Sequence, residues 1–271
     1  MSFNSKKQLT QFLAEDIGKG DITSALLDKK RITVTIISRE NAIVAGVQYA
    51  KEVFKIKGCS VKVLKKDGTK IKPNQTIMSI TGDAGKILTC ERTALNLLTR
   101  MSGIATQTNQ IVKKIPSKTK IYATRKTAPG LRYFDKEAVE IGGGKKHRLR
   151  LDEMVMIKDN HIAIEDSLLS LIKKTKKKYK KFEVEVENTK DAVLAANMGA
   201  TIIMLDNFTP AQIKKTIQTL KDQKLRSKVL LEASGGITSK NISKYGQTGV
   251  DIISVGSITN SVKGIDMSLE I

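Results

Sequence analysis

The chain has 271 residues, 40% of them hydrophobic, enough to bury a sizeable core as one large α/β domain or as a barrel beside a smaller domain, with no disulfide or metal staple. Its two cysteines, Cys59 and Cys90, belong to no CxxC pair or His/Cys cluster, which argues against a structural zinc site and reads as buried thiols in a reducing compartment. The net charge of +21 would ordinarily point to nucleic acid, but aromatic residues are only 4%, Trp is absent and no basic stretch carries the interleaved rings that stack bases.

Seven lysines crowd the run Lys173–Lys181, which reads as a solvated helix end or loop. The N-terminal residues lack an apolar core of signal-peptide length, and no stretch approaches the roughly 20 apolar residues of a membrane span. The expectation is a cytoplasmic protein with no membrane and no nucleic-acid partner.

In chain order, residues 5–15 read as a helix stopped by Asp16, Gly18 and Gly20. RITVTIISRE (31–40) alternates as a strand and ENAIVAG continues extended; YAKEVFKIKG (49–58) is helical and ends at Gly58. Two strand-like runs around the Asp67-Gly68 turn predict a small sheet closed by hairpins. From Ile87 to about Lys114 the pattern is a long helix with Leu88, Leu95, Leu97, Leu98, Met101 and Ile104 making an apolar stripe.

From about Lys120 short apolar strands alternate with helices. KIYATRK, KEAVEIGG, EMVMIKDNH, KFEVEVEN, TIIMLDN, KVLLEASGG and VDIISVGS read as the strands, each ending in polar residues or glycine. That is the pattern of a parallel β/α barrel, whose sites sit at the carboxyl ends of the strands. Three groups of residues fall there. Arg125, Lys126, His147, Arg148 and Lys158 form a cationic set suited to a ligand with several anionic oxygens. Glu185 and Asp206 interrupt apolar runs and suit Mg²⁺ or a structural balance to the cations; Glu183, Glu185 and Glu187 share one face, so spacing does not choose among them. The turns holding Ser234, Gly235, Gly236, Gly256 and Ser257 follow two late strands, where barrels often bind phosphate. The glycines 142–144 before His147 read either as a flexible loop or as a mobile segment that delivers His147 and Arg148.

Several segments together, in order over nearly the whole chain, resemble the quinolinate phosphoribosyltransferase family. They are EDIGKGDITSALL, ERTALNLLTRMSGIAT, the stretch 124–161, EVEVEN, IIMLDN, LLEASGGI and GVDIISVGSIT. The resemblance implies an N-terminal α/β sandwich domain (1–106, completed by 260–271) and an open β/α barrel of fewer than eight strands (107–259). It implies conversion of quinolinate and phosphoribosyl pyrophosphate to nicotinate mononucleotide, pyrophosphate and CO₂ in de novo NAD biosynthesis, with Mg²⁺. It places quinolinate-binding cations at Arg125, Lys126, His147, Arg148 and Lys158, with Thr124 in the same segment. Arg92 would come from a partner subunit, making a dimer the minimum unit, alone or within a hexamer. Glu185 and Asp206 become the metal and catalytic acids beside Lys126, and Ser234, Gly235, Gly236, Gly256 and Ser257 the phosphate loops. Asn260 stands where many relatives carry histidine; it can donate a hydrogen bond to phosphate but carries no charge. Two competing readings are a related transferase acting on another aromatic acid and a basic nucleic-acid-binding barrel without catalysis.

Overall fold

In the computed structural model, which describes residues 4–271, the chain divides into two compact units. The first holds residues up to Asn109, Pro129–Gly143 and Ser261–Ile271; the second holds Gln110–Ala128 and Gly144–Asn260.

The first unit opens with α1 (Ser5–Ile17), where the Asn4 side chain accepts the Lys7 N–H and Gly18 ends the helix at φ 54. Strand β1 (Arg31–Ser38) is central to an antiparallel sheet. It pairs on one side with the C-terminal strand Met267–Glu270 and on the other with β5 (Thr76–Asp83), which pairs in turn with β3 (Ser60–Val63). Alternation along β1 sends Val34, Ile36 and Ser38 inward. Helices α2 (Val47–Ile56) and α3 (Ala84–Val112) carry apolar stripes that bury Val53, Phe54, Leu98 and Met101. The Asp67-Gly68 turn does not close a hairpin between its flanking runs. β3 pairs with β5, whereas β4 (Lys70–Ile71) pairs with β2 (Ala42–Ile43). A two-residue strand has too few ladder bonds to hold its sequence neighbour against a better partner elsewhere.

KEAVEIGG is not a barrel strand. Its residues up to Ile141 lie in helix α4 (Arg132–Ile141) of the first unit, and Phe134, Ala138 and Val139 are buried at helical spacing. The apolar run was too short for its period to separate strand from helix. Within α4, Asp135 is fully buried and receives both a 2.7 Å bond from Arg100 Nε and a 2.8 Å bond from Arg100 Nη2.

The second unit is built on six parallel strands, β6 (Lys120–Ala123), β7 (Val155–Ile157), β8 (Phe182–Val186), β9 (Ile202–Asp206), β10 (Leu230–Ser234) and β11 (Ile252–Val255). Their spatial order is β6-β11-β10-β9-β8-β7, so among the described residues β6 and β7 do not pair and the barrel stays open. The inner strands read as continuous apolar runs because helices cover their outer face. The helices of this unit are α5 (Asp159–Glu165), α6 (Leu168–Lys178), α7 (Thr189–Asn197), α8 (Pro210–Asp222), α9 (Ile242–Gly246) and α10 (Ser257–Asn260). Caps fix where several begin: the Asn188 side chain accepts the Asp191 N–H, and Thr209 forms a capping box with Gln212 ahead of Pro210. The lysine run ends α6 and continues to β8 with all seven lysines exposed; those in the last turn offset the partial negative charge of the helix terminus.

Because Asp135 is buried and Arg100 is its bidentate partner, removing only the cation strands a charge. We predict that Arg100→Ala lowers unfolding free energy by roughly 3–5 kcal/mol in urea titrations, whereas the double variant with Asp135→Ala recovers most of that loss. A single variant as stable as wild type would contradict this.

Candidate active site

The carboxyl ends of the six strands surround a cavity of about 350 Å³ in the second unit. Thr124, Arg125, Lys126, His147, Arg148, Lys158, Glu185, Asp206 and Ser234 all line it, which brings together the residues that the sequence spread over 110 positions.

Each cation reaches the cavity by its own local device. Arg125 and Lys126 follow β6. The Lys126 N–H donates to Thr124 Oγ1 at 3.1 Å, and the Lys126 carbonyl accepts from Thr259 Oγ1 at 2.8 Å, so the backbone is held from both sides. The Arg125 Nε is buried without a hydrogen-bond partner, and among the described residues neither Arg125 nor Lys126 is ion-paired. His147 and Arg148 arrive on a segment whose Lys145 pairs with Tyr122 of β6 in parallel fashion. Arg148 is anchored through Nη1 to the Met154 carbonyl (2.9 Å) and through Nη2 to Met156 Sδ (3.2 Å), both uncharged acceptors. Burial, and then the charge of Arg125, pull its guanidinium below the ordinary value. Lys158, which precedes α5, donates from Nζ to Glu185 Oε2 at 2.6 Å.

Of the glycines before His147, Gly142 and Gly144 are buried and Gly143 is exposed. A Cβ on Gly142 would come within 2.7 Å of the Thr108 side chain, and Gly143 takes φ 96.

Asp206 ends β9, and its Oδ2 accepts from Asn207 Nδ2 at 2.6 Å. Asn207 lies in the left-handed region at φ 57, and Gly235 packs so tightly against it that any Cβ there would collide with the Asn207 backbone nitrogen at 2.7 Å. Gly235, Gly236, Gly256 and Ser257 lie in the turns just after β10 and β11 and are not among the lining residues. At Gly256 a Cβ would approach the Lys126 side chain to 3.3 Å and Asn260 Nδ2 to 3.6 Å, which places Asn260 beside that turn. Arg92 is exposed on α3 of the first unit.

This constellation sits in a chain with clear relatives. Residues 21–102 match the model of the quinolinate phosphoribosyl transferase N-terminal domain, and residues 104–270 match that of the C-terminal domain. The chain belongs to the quinolinate phosphoribosyltransferase family. It is 44% identical to a probable nicotinate-nucleotide pyrophosphorylase (carboxylating) of Methanothermobacter thermautotrophicus, across 97% of each chain. The structure of the nicotinate-nucleotide pyrophosphorylase of Francisella tularensis superimposes with a TM-score of 0.91 at 39% identity, over 98% of this chain and 95% of that one. That of the Ehrlichia chaffeensis enzyme gives 0.93 at 36% identity, over 100% and 99%.

Sequence reasoning about this phosphoribosyltransferase-family chain missed one layer of the site. Glu232, Met156, Met204 and Ser254 also line the cavity, and Glu183 lies fully buried beside His147. The His147 Nε2 is 3.1 Å from Glu183 Oε2 and 3.7 Å from Glu232 Oε2, while Glu232 Oε1 accepts from Ser254 Oγ at 2.6 Å. The signal for Glu232 was available, since LLEAS breaks an apolar run with an acid as MLDN does. Along β8, alternation does put Glu183 and Glu185 on one face; Glu183 is buried, Glu185 half-buried and Glu187 exposed.

Burial pushes the Glu232 carboxyl up from 4.5 to about 8, aided by the nearby charge of Glu183. An acid with a raised folded pKa holds its proton in the folded state where the unfolded chain has lost it. Its contribution is therefore fully present below about 4.5 and is lost as pH rises through about 8. We predict that wild-type stability falls relative to Glu232→Gln between roughly pH 5 and pH 8, by up to about 1.4 kcal/mol per pH unit. Parallel stability-versus-pH curves for the two proteins would refute the placement.

Proposed function

We propose that this chain is a carboxylating nicotinate-nucleotide pyrophosphorylase that joins quinolinate to the ribose of phosphoribosyl pyrophosphate, yielding nicotinate mononucleotide, pyrophosphate and CO₂ for NAD biosynthesis. Family membership over nearly the whole chain supports the reaction. The observation that carries it to this site is the convergence of Arg125, Lys126, Arg148 and Lys158 on one small cavity, with Arg125 offering a buried donor that the protein leaves unused.

A pyridine dicarboxylate brings two anionic groups, and phosphoribosyl pyrophosphate brings several more. Arg125, Lys126, His147, Arg148 and Lys158 bind the dicarboxylate; guanidinium groups can grip a carboxylate through two parallel bonds, which fixes the ring as well as the charge. Held so, the ring nitrogen faces C1 of the ribose. A bond forms from nitrogen to C1 as the C1–O bond to pyrophosphate breaks, and the electron pair leaves with pyrophosphate. The alkylated ring is then an electron sink, so the adjacent carboxylate departs as CO₂ and its bonding pair remains on the ring carbon, which takes a proton. No protein nucleophile is required. The chain lowers the barrier by holding reactants in line and by placing positive charge where negative charge develops. Ser234, Gly235, Gly236, Gly256 and Ser257 offer small turns whose N–H groups can approach phosphate oxygens.

Glu185 and Asp206 fit a magnesium site in donor chemistry, being two hard oxygen ligands on neighbouring strands of one cavity; Mg²⁺ typically takes one or two carboxylates and completes its shell with water and phosphate. When bound, Mg²⁺ supplies charge neutralisation to the pyrophosphate oxygens. Lys158, already 2.6 Å from Glu185, orients that carboxylate. Arg92 completes the site of a second copy, so the working unit is a homodimer or an assembly of dimers.

The test is pyrophosphate release that depends on both quinolinate and Mg²⁺. Lys126→Ala, Arg148→Ala and Arg92→Ala are each expected to fold yet lose at least about 100-fold in turnover. Mixing Arg92→Ala with Lys126→Ala chains is expected to regain part of it, because one mixed site per dimer has both residues. Wild-type rates in Lys126→Ala and Arg148→Ala would overturn the cationic pocket, and no recovery on mixing would overturn the shared site.

A further inference from the structure

At the floor of the cavity the barrel holds polar groups where such interiors are ordinarily filled by branched apolar side chains. Glu183 from β8 and Glu232 from β10 have no exposure, and their Oε1 and Oε2 atoms, respectively, are buried without a hydrogen-bond partner. Isolated acids are expensive there, and replacing them with apolar residues would cost the fold little. The group they share is His147. Its Nε2 lies 3.1 Å from Glu183 and 3.7 Å from Glu232, and the edge of Tyr122 meets its ring at a centroid distance of 5.5 Å and 70°. Ser254 fixes Glu232 from the far side at 2.6 Å. The His147 backbone itself sits at φ 50, a left-handed conformation that a non-glycine residue keeps only when its surroundings hold it.

We infer that Glu183 and Glu232 are positioning residues for His147, two buried carboxyls from alternate strands that turn its Nε2 to the barrel floor and so set how the imidazole meets the pyridine acid. Ser254 serves the same arrangement one step further out by holding Glu232. The physical basis is the one seen behind metal-bound histidines, where a carboxyl oxygen accepting from one ring nitrogen fixes tautomer and ring direction. The inference rests on the reading that His147 binds the dicarboxylate. It predicts a division of effect: loss of either acid weakens quinolinate and leaves phosphoribosyl pyrophosphate untouched, because the phosphate-facing turns do not involve this triad.

The chain has only two histidines, so the ring nitrogens of His147 and His161 can be resolved by long-range ¹H–¹⁵N spectra of the intact labelled protein, with His161→Gln assigning them. In wild type the His147 Nε2 is expected to carry a proton. Glu183→Ala and Glu232→Ala are expected to shift the His147 signals and leave those of His161 in place. KM for quinolinate should rise by about tenfold or more, with KM for phosphoribosyl pyrophosphate within about twofold. Glu183→Gln, whose amide oxygen can still accept from Nε2–H, should restore most of the affinity, and Ser254→Ala should give a smaller effect of the same kind. The milder variant keeps the question open to test if either alanine variant fails to fold. Unchanged His147 signals in folded variants, or equal effects on both substrates, would overturn the inference. So would a divalent metal held stoichiometrically by wild type and lost from Glu183→Ala, since the triad would then be a metal site. A wild-type protein inert toward quinolinate but showing the expected spectra would fail the functional reading alone.

Discussion

Positive charge confined at the carboxyl ends of the parallel strands is the constraint around which the second unit is organised. Arg125, Lys126, Arg148 and Lys158 line one cavity, where Lys158 is bonded to Glu185. Like charges gathered in one partly dry cavity repel one another. The protein tolerates this in part by tying the cationic residues to rigid backbone: Arg148 donates to a carbonyl and a thioether, and the Lys126 peptide is held by two threonine hydroxyls. The repulsion is relieved when a polyanion enters, so part of the cost of confining the cations returns as affinity for anionic ligands.

The acids form two tiers with different tasks. Glu185 and Asp206 stand at the rim, half-buried, where they face both the cations and any metal that accompanies a phosphate. Glu183 and Glu232 lie below, cut off from water, with carboxyls that burial pushes up to about 7 and about 8. The two tiers arise from one feature of strand geometry. Alternate residues along β8 point to the same interior, and depth in the barrel decides whether an acid is solvated or desolvated.

Much of this was legible in the sequence because a parallel barrel writes its site at strand ends. Runs such as TIIMLDN announce both the strand and the residue that follows it, so Asp206, Lys158 and Arg125 could be placed without coordinates. The open barrel likewise matches what the family resemblance implies. What could not be read was anything decided by long-range competition. KEAVEIGG has the length of a strand and the period of a helix, and the first unit claimed it as α4. β3 preferred β5 to its neighbour across the Asp67-Gly68 turn because the longer strand offered the longer ladder. Glu232 was overlooked for another reason: an acid inside a strand looks like a surface residue until the closure of the sheet puts it indoors.

If the cations are arranged for a dicarboxylate, then affinity must depend on the second carboxylate. Calorimetric titration of the protein at low salt with quinolinate and with nicotinate, which carries one carboxylate fewer, tests this most directly. Quinolinate is expected to bind at least about tenfold more tightly, in line with one charge-assisted hydrogen-bonded group of roughly 1.5–3 kcal/mol, and the preference should shrink as salt is added. Equal affinities at low salt would contradict the account.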